Sequence, residues 1–559
     1  MTTVSERVAE VLAGQVDEVF ALMGNGNAYF VDALARQSVR MHAMRHETAT
    51  VAAADAYYRV SRRPAVATTT FGPGFTNTLT SLAEAAQANT PVLLVVGDAP
   101  STGPRPWDVD QTAMAAAMGV NTFTVTGANA GQTALDAFHY AVTRRTAVVL
   151  AIPYDVAASP AADEGTLVPG PLPLATTTAA QASLDGVAKL LAQSERPLVL
   201  AGRGARCAAG ELSQLADLVG ALTASSAPAR GTFAGRAYDL GVAGGFASEP
   251  SAALIKAADV VLVVGARLNQ FTTSFGHAFG GAATVVQIDV AEAATSPLVD
   301  HFIQADAADA IPALVERFRS VAGEGKARQM PWGGSAEQAK DSTLQFDREP
   351  GDELAPDGRL DPRSLMRRLN TILPAQRQVV SDGGHFIGWA NTYFELPSPD
   401  SITLVGTTYQ SIGLGLPSAA GAAVARPERT TVVVTGDGGG LMGLPDLDTL
   451  VRVARSAIVL VFNDAAYGAE VHQYGSQGLD QEIMQIPQVD FAQVALGFGA
   501  KSAVIRTLDD LDQIQDWVDA GAEGTFVADL RVSQGIIAPY ILEIIELTLK
   551  RPQPAGRSE

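Results

Sequence analysis

Cysteine is almost missing from this 559-residue chain, with Cys207 the only one. No intrachain disulfide can form, and no cage of cysteine thiolates can hold a metal. Long hydrophobic runs are missing too: nothing approaches the roughly 18–20 consecutive apolar residues that span a bilayer. The opening segment, Met1–Gly14, lacks the apolar core and cleavage site of a secretory leader. It reads as a short amphipathic helix, with Val4, Val8, Val11 and Leu12 as its apolar residues. Positive charge is scarce, 39 Lys and Arg against 59 Asp and Glu, for a net charge of −20. A chain of that sign is repelled by phosphate backbones and anionic lipid, so no nucleic-acid or membrane partner is expected. A cytoplasmic location is the default expectation.

What is present is apolar and small. Apolar residues make up 47% and charged residues 18%, the profile of a well-packed α/β protein with room for three or four domains. Short β-branched runs alternate with helical patterns, which predicts parallel sheets wound by helices. Ala65–Thr70 and Val92–Val96 read as strands flanking a Gly72-Pro73-Gly74 turn and a helix from Thr76 to Gln87. Thr431–Thr435 and Ile458–Phe462 flank a Gly436–Gly440 turn and a helix from Leu444 to Ala454. Between these regions, Leu198–Ala201, Val260–Val264 and Val285–Ile288 read as strands and Glu211–Val219 as a helix. Ala158–Thr178 and Pro331–Asp361 read as linkers, and Arg551–Glu559 as a disordered tail. The fold class expected is α/β, with three doubly wound parallel-sheet domains.

One segment carries chemistry more specific than its neighbours. Thr435-Gly436-Asp437-Gly438-Gly439-Gly440 follows a strand, and glycines there let the backbone approach an anion. A tight turn with no ligand would look the same. The next strand, however, ends in Asn463-Asp464-Ala465-Ala466-Tyr467-Gly468. Both segments fall at carboxyl ends of parallel strands, where such sheets bind ligands. Asp437 and Asp464 can converge there on one hard cation of the Mg²⁺ type.

Gly436-Asp437-Gly438, a gap of 24 residues (439 to 462) and Asn463-Asp464 resemble the fingerprint of thiamine-diphosphate-dependent enzymes. The resemblance implies Asp437, Asp464 and the carbonyl of Ala466 as Mg²⁺ ligands, with Gly436, Gly438 and Gly439 beside the diphosphate. The chain departs in having Asp464 where Asn is commoner, and Asp binds Mg²⁺ at least as well. Met44-Arg45-His46-Glu47-Thr48-Ala49 resembles the stretch that carries the activating glutamate in acetolactate-synthase-like members. It implies Glu47 as the partner of N1′ of the aminopyrimidine; alone, Glu47 would read as a carboxylate favoured by a helix N-terminus. Tyr409–Pro417 resembles the segment that bends the cofactor, with Ile412 as the apolar wedge and the Gln410 carbonyl accepting from the 4′-amino group. Ser381-Asp382-Gly383-Gly384-His385 resembles a loop that touches the diphosphate, with His385 as donor.

The resemblance spans essentially the whole chain. It implies a pyrimidine-binding domain (1–160), a central domain (180–330), a diphosphate-binding domain (360–548) and a tail (549–559). It implies a homodimer or homotetramer with active sites at the subunit interface. The activity implied is a Mg²⁺–thiamine-diphosphate-dependent carbon–carbon lyase or carboligase, taking 2-oxo acids or aldehydes through a carbanion–enamine. A thiamine-dependent hydrolase, an acyl-CoA lyase and a catalytically idle nucleotide-binding or regulatory homologue are the alternatives. Anabolic acetolactate synthases carry Lys and Gln where this chain has Val120 and Asp98, which argues against that activity.

For the substrate, Asn25 and Asn27 are candidate donors or plain turn residues. Gln111 falls in a stretch similar to benzaldehyde lyase. Glu470 takes the place of an acid/base glutamate or lies on a helix surface. His472 is a weaker candidate of the same kind. Gly202-Arg203-Gly204-Ala205-Arg206 superficially resembles a dinucleotide turn, and Gly265-Ala266-Arg267-Leu268-Asn269 resembles segments of flavin and non-flavin members, which keeps FAD as a possible further cofactor.

Overall fold

Runs such as Val432-Val433-Val434 and Val260–Val264 are buried on both faces, as strands in the middle of a helix-covered parallel sheet must be. The computed structural model describes residues 1–168, 170, 178–322, 332 and 348–549. The expected tail Arg551–Glu559, and parts of the two expected linkers, lie outside the described residues.

The described residues form three six-stranded sheets, and every strand pair within them is parallel. The first holds β1 (Glu18–Ala21), β2 (Arg40–Ala43), β3 (Ala65–Thr69), β4 (Val92–Asp98), β5 (Asn121–Thr124) and β6 (Ala147–Pro153) in the order 2-1-3-4-6-5. The second holds β7 (Pro197–Ala201), β8 (Leu222–Ser225), β9 (Asp239–Val242), β10 (Val260–Val264), β11 (Thr284–Asp289) and β12 (His301–Gln304) in the order 12-11-10-7-8-9. The third holds β13 (Arg377–Ser381), β14 (Ile402–Leu404), β15 (Thr430–Gly436), β16 (Ser456–Phe462), β17 (Lys501–Ile505) and β18 (Gly524–Leu530) in the order 14-13-15-16-18-17. The first and third sheets therefore share one topology. In the third, the chain runs outward from β13 to β14 and returns across β13 to β15. That reversal opens a crevice at the carboxyl ends of β13 and β15, the usual ligand position of an open α/β sheet.

Several expected elements are modified locally. The Gly436–Gly440 turn is itself helical, since Asp437–Met442 continues straight from β15 as a short helix. The helix expected from Thr76 to Gln87 is broken into Pro73–Thr76 and Leu79–Gln87. Likewise Leu444–Asp446 is a 3₁₀ turn ahead of a helix at Leu447–Val453. The opening helix runs Val4–Ala13, with Thr3 and Glu6 forming a capping box.

The first and third sheets are joined through two helices, Glu47–Ser61 and Gly415–Ala425. Ala49, Ala52, Ala53, Ala54 and Ala56 on one, and Ala419, Ala420, Gly421 and Ala422 on the other, are buried. Small residues let the two backbones approach until a Cβ at Gly421 would lie 1.9 Å from the Ala53 carbonyl oxygen. Gly421→Ala therefore tests this crossing. Alanine favours a helix over glycine by about 1 kcal/mol, yet the overpacked variant should lose about 1–3 kcal/mol in urea unfolding. A gain in stability would show that the helices do not pack this closely.

Candidate active site

Gly436 on β15 pairs with Phe462 on β16, so Asp437 and Asp464 leave one sheet edge side by side. Asp437 is 3% exposed. Its Oδ1 accepts the Gly438 N–H at 2.9 Å, and its buried Oδ2 has no partner. Asp464 accepts the Ala466 N–H at 3.2 Å. Burial pushes Asp437 up to about 6, and burial together with the Asp437 charge pushes Asp464 up to about 7. A buried carboxylate with an orphaned oxygen, beside a partly buried one whose ionisation it opposes, fits a divalent cation. No group of three or more His, Cys, Asp or Glu side chains able to hold a metal occurs among the described residues. Further ligands would thus be backbone or phosphate oxygens, and Ala466 follows directly from Ala465, held in the left-handed region at φ 62°. Asn463 is occupied elsewhere, donating to Asp529 at 2.8 Å and to the Val489 carbonyl at 3.0 Å.

These carboxylates open into a cavity of about 1090 Å³. Of the residues singled out in the sequence, His385, Gln410, Ile412, Gly436, Asp437, Gly438, Gly439, Asp464, Ala466 and Glu470 line it, with Trp389, Tyr540 and Ile544 as apolar wall. Gln410 sits at φ 63°, and Ile412 remains 37% exposed. The His385 ring has a fixed tautomer. Its Nε2 accepts the Ala538 N–H at 2.8 Å, which leaves the proton on Nδ1. Burial and the neighbouring His472 hold His385 down to about 3, so the ring is neutral at ordinary pH. Its Nδ1 lies on the Gly468 side, where a Cβ would come within 3.5 Å of it and 2.7 Å of Asp464 Oδ2. His472 itself is buried with an unpartnered Nε2, its ring centroid 4.7 Å from that of His385.

Asp382 was missed as a site residue in the sequence. It is fully buried, is pushed up to about 6 by that burial, and accepts the Gly413 N–H at 3.0 Å. It thereby anchors the loop that carries Gln410 and Ile412. Its only sequence signal was its position between β13 and His385.

Glu47, Asn25, Asn27 and Gln111 do not line this cavity. Glu47 begins its helix half-buried, and its Oε2 accepts from Asn77 Nδ2 at 3.0 Å. The helix break at Asn77 and Thr78 is what presents that amide. Asn25 is exposed on the loop after β1. Asn27, the other candidate on that loop, is tied into it. Its amide donates to the Leu22 carbonyl at 3.1 Å and to Thr68 Oγ1 at 3.0 Å, and its oxygen accepts the Gly24 N–H at 2.8 Å. Gln111 bridges the Gly72 N–H at 2.7 Å and the Gly97 carbonyl at 2.9 Å. Val120 is 1% exposed in the hydrophobic core, no place for a lysine. Asp98 accepts the Ala99 N–H at 2.8 Å and the Gln111 amide at 3.1 Å.

The cavity extends between the two central turns, but their glycines serve packing. A Cβ at Gly202 would meet the Gly265 carbonyl oxygen at 2.1 Å, and the Gly204 N–H donates to that oxygen at 2.9 Å. The glycine pattern therefore lends no support to a flavin.

Comparison with known proteins decides the family. Thiamine pyrophosphate enzyme profiles match three times: the N-terminal TPP binding domain over residues 2–118, the central domain over 184–314 and the C-terminal TPP binding domain over 382–527. The chain belongs to the thiamine pyrophosphate enzymes. This thiamine pyrophosphate enzyme is 27% identical to the sulfoacetaldehyde acetyltransferase of Castellaniella defragrans, over 91% of the chain and 89% of the relative. It is 26% identical to the acetolactate synthase isozyme 2 large subunit of Escherichia coli, over 93% of each. A probable acetolactate synthase of Mycobacterium bovis is 29% identical, over 82% of the chain and 83% of the relative. Thiamine diphosphate is its cofactor, its activity is of the carboligase or lyase type, and such enzymes act on small molecules and are typically oligomeric. Among the described residues no helix is long and apolar enough to cross a membrane.

The two aspartates set a pH dependence. Their folded pKa values lie above those of an unfolded carboxylate, so the folded form holds extra protons between about pH 4 and 7. Stability of the cofactor-free protein should fall as pH rises through that window. Mg²⁺ with thiamine diphosphate should raise the unfolding temperature more at pH 8 than at pH 5, because fewer protons then compete for the carboxylates. A thermal shift independent of pH would remove Asp437 and Asp464 as the cation site.

Proposed function

We propose that this chain is a Mg²⁺- and thiamine-diphosphate-dependent carboligase or lyase acting on 2-oxo acids or aldehydes. The observation that carries the reading is the buried Asp437 beside the partly buried Asp464, with an orphaned Asp437 oxygen at a cavity on the β15–β16 edge. In this reading Asp437, Asp464 and the Ala466 carbonyl hold the metal, and the Nδ1–H of His385 donates to the diphosphate. Ile412 supports the bend of the cofactor, and the left-handed backbone at Gln410 presents its carbonyl to the aminopyrimidine. When bound, the cofactor supplies the electron sink for a carbanion next to a carbonyl, which no side chain can provide.

Glu47 is the residue for proton exchange with N1′ of the aminopyrimidine. It lies outside the cavity that holds the aspartates, so it completes the site from a second copy of the chain. The Asn77 amide holds one of its carboxylate oxygens and orients the other. Glu470, exposed on the cavity wall beside Tyr540, is placed to exchange a proton with the product. The apolar side formed by Trp389, Tyr540 and Ile544 excludes water from that step.

Glu47→Gln should retain cofactor binding while turnover falls by about 10²–10⁴-fold. Unchanged turnover would sink the assignment. Co-expression of chains carrying Glu47→Gln with chains carrying Asp437→Asn should restore part of the activity, because mixed dimers contain one site with both residues intact. Full inactivity of the mixture would place both residues in one chain's own site. The substrate is read by mixing the purified enzyme, Mg²⁺ and cofactor with 2-oxo acids, with and without aldehyde acceptors and sulfoacetaldehyde. Release of CO₂ with an aldehyde or hydroxyketone is the expected outcome by mass spectrometry, and turnover confined to acyl-CoA substrates would overturn it.

A further inference from the structure

The loop between β14 and the Gly415–Ala425 helix is held at both ends by buried carboxylates, one of them from the first sheet's unit. Gly406 opens it at φ 71°, where a Cβ would lie 2.2 Å from the Ser411 carbonyl oxygen. The Ser411 N–H donates back to the Gly406 carbonyl at 2.8 Å, and Gln410 adopts φ 63°. A non-glycine residue in the left-handed region is strained and persists only where its surroundings enforce it. Asp382 enforces the far end at Gly413. The near end is enforced by Glu84, whose Oε2 accepts the N–H groups of Thr408 at 3.0 Å and Tyr409 at 2.7 Å.

Glu84 is itself held. Its Oε1 accepts from Arg59 at 2.9 Å, and Arg59 also donates to Asp55 at 2.8 Å and to the Leu404 carbonyl at 2.8 Å. All three side chains are almost wholly buried. Burial drives Asp55 upward, and the two carboxylates hold the Arg59 guanidinium firmly charged. A buried ion triad is a poor device for stability alone, since well-packed apolar side chains commonly do as well. What an apolar trio cannot do is accept two successive N–H groups from a loop.

We propose that Glu84, clamped by Arg59 and Asp55, is a positioning residue for the thiamine end of the cofactor. It acts through the backbone at Thr408 and Tyr409 to aim the Gln410 carbonyl and the Ile412 side chain. The proposal rests on the reading of Gln410 and Ile412 given above. The diphosphate end, at Gly436–Gly439, His385 and the two aspartates, adjoins the far end of this loop at Gly413, which Asp382 holds, and not the near end at Thr408 and Tyr409 that Glu84 holds. Loss of Glu84 should therefore weaken recognition of the thiamine moiety and leave that of the diphosphate intact.

The test compares two ligands on full-length cofactor-free protein by calorimetric titration: Mg²⁺ with inorganic pyrophosphate, and Mg²⁺ with thiamine diphosphate. For Glu84→Ala, pyrophosphate affinity should stay within about twofold of wild type while thiamine diphosphate affinity falls about tenfold or more. Glu84→Gln keeps one acceptor oxygen for the loop, so it should show the same selective loss in smaller degree; it carries the comparison alone if the alanine variant does not fold. An equal loss for both ligands, or no loss for either, would overturn the proposal. Wild-type protein that binds thiamine diphosphate no more tightly than pyrophosphate would overturn the reading of Gln410 and Ile412 themselves, and the proposal with it.

Discussion

Contact between the Glu47–Ser61 helix and the Gly415–Ala425 helix is the constraint from which the arrangement follows. It is a contact of backbone against backbone, possible only because alanines and Gly421 face each other. Once these helices touch, Arg59 and Glu84 reach the loop after β14, and Arg45 reaches Asp446 and Asp448. The same contact sets the direction of Glu47. As the first residue of its helix, it lies outside the cavity of its own chain, where the Asn77 amide holds it. A single close crossing thus unites two sheets and separates two sets of chemical groups.

Electrostatics at the cavity works against the apoprotein. Asp437 is buried, Asp464 partly so, and both are hard to ionise, so the pair retains protons. A divalent cation relieves both conditions at once. His385 works in the opposite sense. It is kept neutral by burial, and its ring orientation is dictated by the backbone of the C-terminal segment at Ala538. Burial thus favours the protonated form of the two carboxylates and the neutral form of the imidazole.

The sequence made the central strands legible because Val260–Val264 or Ile458–Phe462 are apolar without interruption, and burial on both faces demands that. It was less informative at the sheet edges. β2, Arg40–Ala43, and β5, Asn121–Thr124, are partly exposed, so no apolar run marks them. Asp437 and Asp464 stood out in the sequence because each lies just beyond the carboxyl end of an apolar strand, at a spacing that repeats a known pattern. Asn27 and Gln111 could not be judged, since an amide that binds a substrate and one that ties a turn look alike until its partners are known. Asp382, Arg59 and Glu84 escaped for a related reason. Their partners are backbone N–H and carbonyl groups far along the chain, and backbone groups leave no mark in a sequence.

The strand order shared by the first and third sheets means that a crevice like the one at β13 and β15 also exists at the ends of β1 and β3. There it is plugged. Gly24 and Gly26 press against Thr70 and Phe71, and Asn27 ties the loop to Thr68. Of two crevices set by one strand order, that of the first sheet is occupied by the chain's own loop.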